Sequence, residues 1–167
     1  NIYLWNYTDK IIISDVDGTV TKSDILGHLL PRIGTSDWAH DGIAELYNNI
    51  YKNGYKILYL TARPIGLSAN TKDYIKNIVQ EKKHRMPDGP LILSPDRMAK
   101  SFYREVIIKK PHLFKIKCLK EIRSIFPNDT EPFYSGFGNR DTDFIAYKSL
   151  SISVNKIFII NPKGEVT

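Results

Sequence analysis

Residues Ile11–Thr19 read Ile-Ile-Ile-Ser-Asp-Val-Asp-Gly-Thr, and they are the most informative part of the chain. The first half is a short apolar, β-branched run, which is typical of a strand buried in a parallel sheet. The second half places two carboxylates, Asp15 and Asp17, directly after that strand. Ligands of open α/β sheets bind beyond the carboxyl ends of the strands, so the sequence predicts a site here.

The spacing of the two carboxylates suggests a charged site. Side chains alternate along a strand, so Asp15 and Asp17 can point in the same direction. Two carboxylates that lie close together repel each other unless a cation holds them. Gly18 allows a sharp turn directly after the pair. A turn with Asp as a hydrogen-bond acceptor is the alternative, but the complete Asp-x-Asp-Gly-Thr pattern after an apolar strand favours a site.

The remaining sequence alternates between strands and amphipathic helices. We predict strands at Lys10–Ser14, Lys56–Thr61, Leu91–Leu93, Phe133–Phe137 and Lys156–Ile160. We predict helices from Asp41 up to Asn53-Gly54 and at Leu67–Val79, Met98–Ile108, Lys115–Phe126 and Asp141–Ser149. This alternation indicates an α/β fold in three layers, with a parallel sheet covered by helices on both faces. No internal linker is visible, so we expect a single domain over 1–167.

Composition excludes some classes of protein. Hydrophobic residues make up 42% and charged residues 25% of the chain, which is typical of a globular protein. No apolar run approaches the roughly 20 residues of a membrane span. The single cysteine, Cys118, excludes an internal disulfide and favours a reducing compartment. The chain begins at Asn1 rather than Met, which suggests part of a longer protein.

Positive charge is concentrated in the middle of the chain. Residues 72–123 contain 14 Lys and Arg against 6 Asp and Glu, a net charge of +8, whereas the whole chain carries +6. Such a stretch favours an anionic partner, although a solvated basic surface would have the same composition.

The Asp-Val-Asp-Gly-Thr segment resembles the first motif of the haloacid-dehalogenase superfamily, and three later elements resemble its other motifs in order. The candidates are Thr61 for the second motif, Lys115 for the third, and Asn139 with Asp143 for the fourth. Lys115 is preferred because it opens a predicted helix, and Lys110 before Pro111 remains an alternative. The resemblance implies a haloacid-dehalogenase-like, Rossmann-like fold and a phosphatase activity.

The resemblance also implies a role for each residue. Asp15 would attack phosphorus and form an aspartyl-phosphate, and Asp17 would act as general acid and then general base. Thr61 would donate its hydroxyl to a phosphoryl oxygen, and Lys115 would neutralise the developing charge. Asp143 would orient the lysine or a metal-bound water.

The resemblance further implies Mg²⁺ as cofactor. The expected ligands are the Asp15 carboxylate, the Asp17 main-chain carbonyl and the Asn139 side chain, with water and phosphate oxygens completing the set. Many members of the superfamily have Asp where this chain has Asn139. Residues expected to bind substrate are Gly18, Thr19 and Arg63, and simple solvation at the surface remains open for Arg63.

Longer blocks are similar to the C-terminal catalytic region of the lipins, which are phosphatidate phosphatases that make diacylglycerol. These blocks are 15–34, 53–66, 89–97, 104–119, 137–143 and 157–166. The similarity implies phosphatidate in an anionic membrane surface as substrate, and the N-terminal lipin region as a further part of the catalytic unit. It also implies a cytoplasmic protein that is peripheral at the endoplasmic reticulum or nuclear membrane.

The sequence is also compatible with two other functions. One is a phosphatidate sensor without catalysis, and the complete Asp15/Asp17 pair favours an enzyme over such a sensor. The other is a phosphatase of a soluble phosphomonoester, which the first motif alone does not exclude. No known nucleic-acid-binding motif is present, so nucleic acid is not a predicted partner.

Overall fold

The computed structural model describes residues 2–22, 38–95 and 111–167. In these ranges the strands are β1 (Ile11–Asp15), β2 (Lys56–Pro64), β3 (Val79–Gln80), β4 (His84–Arg85), β5 (Leu91–Ser94), β6 (Phe133–Gly138) and β7 (Ile157–Ile159). The α-helices are α1 (Ile43–Lys52), α2 (Ser68–Asn77), α3 (Pro111–Arg123) and α4 (Asp141–Lys148). Short 3₁₀ helices lie at Ile65–Leu67 and Val154–Lys156. The helix predicted at Met98–Ile108 lies outside the described residues.

Five of the strands form one parallel sheet in the order β5-β2-β1-β6-β7. β1 is central, with β2 on one side and β6 on the other, so the strand order reverses at β1. Such a reversal opens a crevice beyond the carboxyl ends of the strands. Asp15, the last residue of β1, pairs with Leu60 of β2 and therefore lies at this crevice.

Helices cover both faces of the sheet, as the sequence predicts. Ile12 of β1 packs in one apolar cluster with Tyr47 of α1 and Ile75 of α2. Ile11 and Ile13 face the opposite way, into a second cluster that includes Leu119 of α3 and Tyr147 of α4. The alternation along β1 thus produces the three layers.

The structure corrects several predicted boundaries. α3 begins at Pro111 rather than at the predicted Lys115, because the first turn of a helix tolerates a residue without an N–H. β2 continues to Pro64 and brings Arg63 into the sheet. Val79 belongs to a small antiparallel hairpin of β3 and β4 rather than to a helix. No helix in the described ranges is both long and apolar enough to cross a bilayer.

Candidate functional site

Asp15 is buried at the end of β1, with 4% of its surface exposed. Lys115 reaches it from α3, and the Lys115 Nζ lies 2.7 Å from Asp15 Oδ1. The Thr19 hydroxyl donates to the other oxygen, Oδ2, at 3.3 Å. Both carboxylate oxygens of the predicted nucleophile are therefore positioned by neighbouring side chains.

Lys115 has a second acidic partner, Asp143 of α4. The Lys115 Nζ lies 2.6 Å from Asp143 Oδ1. Asp143 Oδ2 accepts hydrogen bonds from the backbone N–H groups of Asn139, at 3.1 Å, and Arg140, at 3.3 Å. Asp143 thus caps the start of α4 and fixes the lysine with its remaining oxygen, as expected for a residue that orients the lysine.

A glycine in β6 makes this arrangement possible. A Cβ atom at Gly138 would lie 2.4 Å from the Asp143 Cβ and 2.8 Å from its Oδ2. Any side chain at this position would push Asp143 away from the end of β6. Gly138 therefore sets how closely α4 approaches the site.

The charges at Asp15 and Lys115 depend on each other. Burial raises the pKa of Asp15 to about 7, Lys115 opposes this rise, and the neighbouring Asp143 and Asp17 add to it. Burial alone would lower the pKa of Lys115, but the Asp15 and Asp143 carboxylates raise it above its usual value. The raised pKa keeps Lys115 cationic, and its charge favours the ionised form of Asp15.

Asp17 lies in the turn after β1 rather than in the strand, so strict alternation with Asp15 does not apply. Its Oδ2 accepts the Thr61 hydroxyl at 2.8 Å. The Arg63 Nε lies 2.9 Å from Asp17 Oδ1, and Nη2 of the same guanidinium bonds to this oxygen too. Asp15 and Asp17 are thus paired with different cations, Lys115 and Arg63.

Arg63 is buried, with 6% of its surface exposed, so the alternative of simple surface solvation is wrong. Its Nη1 donates to the Thr71 hydroxyl at 3.2 Å, and its backbone N–H donates to the Thr61 hydroxyl at 3.1 Å. These contacts fix the guanidinium beside Asp17. Contact between Arg63 and a phosphate stays a prediction.

The turn after Asp17 is held by residues that the sequence did not single out. Gly18 has a φ of +78°, and its N–H donates to the Thr21 hydroxyl at 2.9 Å. The carbonyl of Gly18 lies 3.4 Å from His40 Nε2. Gln80 of β3 in turn donates to the His40 carbonyl at 2.7 Å and accepts the Ala44 N–H at 2.9 Å. No local pattern identifies His40, Thr71 or Gln80, because their partners are distant in sequence.

The structure thus brings together most of the predicted site. The residues joined by direct contacts are Asp15, Asp17, Thr19, Thr61, Arg63, Lys115 and Asp143. Asn139 directly follows β6, where its N–H contacts Asp143. Lys110, the alternative lysine, lies outside the described residues.

The donor set fits Mg²⁺ on chemical grounds. Within 2–22, 38–95 and 111–167, no three His, Cys, Asp or Glu side chains converge into a metal-binding cage. The predicted ligands are instead one carboxylate, one main-chain carbonyl and one side-chain amide, near the ends of the adjacent strands β1 and β6. Hard oxygen donors in small number, with water completing the shell, are what Mg²⁺ prefers.

Comparison with solved structures supports the fold. A chain in the solved structure of the Pnkp1/Rnl/Hen1 complex matches 93% of this chain, with a TM-score of 0.54 and 15% identity. The match covers 47% of that chain and supports the fold alone.

Curated relatives are much more similar in sequence. Human phosphatidate phosphatase LPIN1 and phosphatidate phosphatase PAH1 of Arabidopsis thaliana are each 52% identical to 99% of this chain. Phosphatidic acid phosphohydrolase 1 of Saccharomyces cerevisiae is 47% identical over 99% of this chain. This chain spans 18% of the human and Arabidopsis proteins and 20% of the yeast protein.

The family model described as LNS2 (Lipin/Ned1/Smp2) matches residues 1–167, which is the entire sequence. The resemblance to the lipins is therefore confirmed, and the chain belongs to the LNS2 (Lipin/Ned1/Smp2) family.

Proposed function

We propose that this chain is the catalytic part of a Mg²⁺-dependent phosphatidate phosphatase that works through an aspartyl-phosphate. The observation that carries the proposal is Lys115, which holds the buried carboxylates of Asp15 and Asp143 on its two sides. The names of the curated relatives support phosphatidate as substrate. The chain spans about a fifth of those relatives, so the N-terminal lipin region is proposed as a further part of the catalytic unit.

In the first step, an Asp15 oxygen attacks the phosphorus, and the bond between phosphorus and the glycerol oxygen breaks. Asp17 gives its proton to that leaving oxygen, so diacylglycerol departs and the phosphoryl group stays on Asp15. Thr61 and Arg63 fix the orientation of the Asp17 carboxyl beside the reacting atoms.

In the second step, a water molecule attacks the phosphorus of the aspartyl-phosphate. Asp17 takes the proton of this water, and the bond between phosphorus and the Asp15 oxygen breaks. Inorganic phosphate leaves, and both aspartates return to their starting state. Covalent catalysis thus replaces one difficult displacement by two easier ones.

The positive charge at the site has two sources in this mechanism. Lys115 neutralises charge that develops on the phosphoryl oxygens, and it also favours the ionised form of Asp15. Mg²⁺, held by Asp15, the Asp17 carbonyl and Asn139, would supply electrostatic stabilisation of the same oxygens. Thr19 and Gly18 are proposed to contact the phosphate from the turn after β1.

The substrate determines where the protein acts. Phosphatidate is part of a membrane, so we infer a cytoplasmic protein that binds peripherally to the endoplasmic reticulum or nuclear membrane. The basic stretch from 72 to 123 supports an anionic surface as partner. A sensor that binds phosphatidate without hydrolysis is the second candidate, and the contacts made by both aspartates favour catalysis over it.

The test is release of inorganic phosphate from phosphatidate in mixed micelles with Mg²⁺, using the full-length protein that carries this chain. A soluble phosphomonoester, an EDTA-treated sample and the Asp15→Asn variant run in parallel. We expect release from phosphatidate that needs both Asp15 and Mg²⁺.

The other outcomes are distinct. Release only from the soluble ester would keep the mechanism and overturn the substrate. Phosphate release by the Asp15→Asn variant would refute the covalent step. Phosphate release in the presence of EDTA would refute the requirement for Mg²⁺. Binding of phosphatidate by a folded wild-type protein without any release would leave the sensor.

A further inference from the structure

A cavity lies at the β5 edge of the sheet, away from Asp15 and Asp17. Its volume is about 300 Å³. The walls come from β2, from α2 and from the segment that leads from β4 into β5. None of the residues assigned to the catalytic site lines it, so it is a separate feature of the protein.

Three cations surround this cavity: Lys72 and Lys76, one turn apart on α2, and Arg85 at the end of β4. Within the described part of the chain, none of the three forms an ion pair with a carboxylate. Asp88 is the acidic residue in the lining, and its Oδ1 accepts the Tyr3 hydroxyl at 3.0 Å. The lining therefore carries three positive charges against one negative charge, which favours an anionic ligand.

The rest of the lining is mostly apolar. Ile75 and Met86 are buried and form part of the wall together with Leu91. The Tyr59 ring also lines the cavity, and its hydroxyl is already satisfied because it donates to the Pro87 carbonyl at 2.8 Å. Cations beside an apolar wall suit a ligand that has both a charged group and a carbon skeleton.

We propose that this cavity binds the phosphate group of an anionic molecule that also has an apolar part, either a phospholipid headgroup or a soluble phosphate ester. The Arg85 guanidinium can bind two phosphate oxygens at once, and the two lysines act as mobile point charges. The apolar wall would contact the carbon atoms next to the phosphate. The site is additional to the catalytic one and does not depend on catalysis there.

The experiment compares two triple variants of the full-length protein, each in an Asp15→Asn background that prevents turnover. One variant removes the cavity cations, with Lys72→Gln, Lys76→Gln and Arg85→Gln. The matched control removes three exposed lysines outside residues 72–123, with Lys52→Gln, Lys148→Gln and Lys163→Gln. Both lose the same charge. Affinity is measured for phosphatidylcholine vesicles with and without phosphatidate, and for soluble glycerol 3-phosphate.

We expect the cavity variant to bind phosphatidate vesicles at least about tenfold more weakly, because it loses three cations that would contact the phosphate directly, whereas the control loses only lysines outside the cavity. The control should lose less than about threefold. If the cavity variant loses more affinity than the control for phosphatidate vesicles alone, the ligand is a lipid headgroup. If it also loses more affinity for glycerol 3-phosphate, the ligand is a phosphate ester. An equal loss in both triple variants, or no loss in the cavity variant, would overturn the proposal.

Thermal unfolding of each variant shows whether a loss of binding reflects a loss of fold. The phosphatase assay with Asp15 intact is independent of this comparison. A wild-type protein that fails to hydrolyse phosphatidate yet binds it through the cavity would refute the proposed function and leave this inference standing.

Discussion

Lys115 is the residue on which the charge balance of the site depends. It is 5% exposed and lies within 2.7 Å of one carboxylate and 2.6 Å of another. Each of these three buried charges has a desolvation penalty, and the attraction between the cation and the two anions offsets it. In the proposed mechanism, the same contact also favours the ionised form of Asp15.

Replacing Lys115 by Met should therefore affect both stability and activity. We expect the free energy of unfolding to fall by about 3–5 kcal/mol, because two buried carboxylates lose their shared partner. Phosphate release should fall by at least about a hundredfold, because charge on the phosphoryl group is no longer neutralised. Urea denaturation and the phosphatase assay measure the two effects.

Two further variants separate these effects. Lys117→Met, at an exposed position of the same helix, should change neither quantity appreciably. The double variant Lys115→Met/Asp143→Asn removes one of the two buried negative charges and should recover part of the stability but none of the activity. Recovery of activity in the double variant would contradict the catalytic role of Lys115.

At the scale of elements, the close approach of β6 and α4 depends on Gly138. We expect Gly138→Ala to lower the free energy of unfolding by about 1–3 kcal/mol, because its Cβ would lie 2.4 Å from the Asp143 Cβ. Activity should fall between about ten- and a hundredfold, because Asp143 and with it Lys115 are displaced. Gly66→Ala is the control, since its Cβ would meet no atom within 4 Å. Equal effects of the two substitutions would show that the contact does not matter.

Hydrogen bonds through His40 link the β3–β4 hairpin to the turn after Asp17. Burial lowers the pKa of the His40 imidazole below its usual 6.5, although the Gly18 carbonyl opposes this shift. The unfolded chain therefore binds a proton at a higher pH than the folded one. Stability must fall as the pH drops below about 6.5 toward the lower pKa of the folded state.

The His40→Gln variant keeps a donor for the Gly18 carbonyl but has no imidazole to titrate. When the pH drops from about 7.5 to about 5.5, we expect its free energy of unfolding to fall less than that of the wild type. Urea denaturation of both proteins at the two pH values measures the difference. Other titrating groups, Asp15 among them, contribute to both proteins and cancel in this comparison. Identical pH dependence in the two proteins would mean that His40 does not contribute.

The sequence predicted the parallel sheet and the place of the candidate site at the ends of its strands, because both follow from local patterns. Apolar runs such as Ile11–Ile13 identify strands, and polar residues just after them identify the crevice. It did not predict the β3–β4 hairpin, because two-residue strands have no periodicity. It also missed the burial of Arg63, because that depends on Asp17 and Thr71, two partners from other segments.

At the scale of the whole molecule, the basic middle of the chain should govern attachment to membranes. We expect binding to phosphatidate-containing vesicles to rise with phosphatidate content and to fall steeply between low and high salt, because added salt screens exposed charge. Vesicle co-sedimentation at several salt concentrations measures this. Neutral vesicles are the control, and binding that ignores salt would show that attachment is apolar.

The central position of β1 has a consequence for folding while the chain is synthesised on the ribosome. β1 is complete at Asp15, but its second neighbour, β6, begins only at Phe133, 118 residues later. At a synthesis rate of about 5–20 residues per second, one edge of this apolar strand stays unpaired for roughly 6–24 s before β6 is made. During that time the strand presents an open edge with unpaired backbone groups, which other nascent chains can pair with.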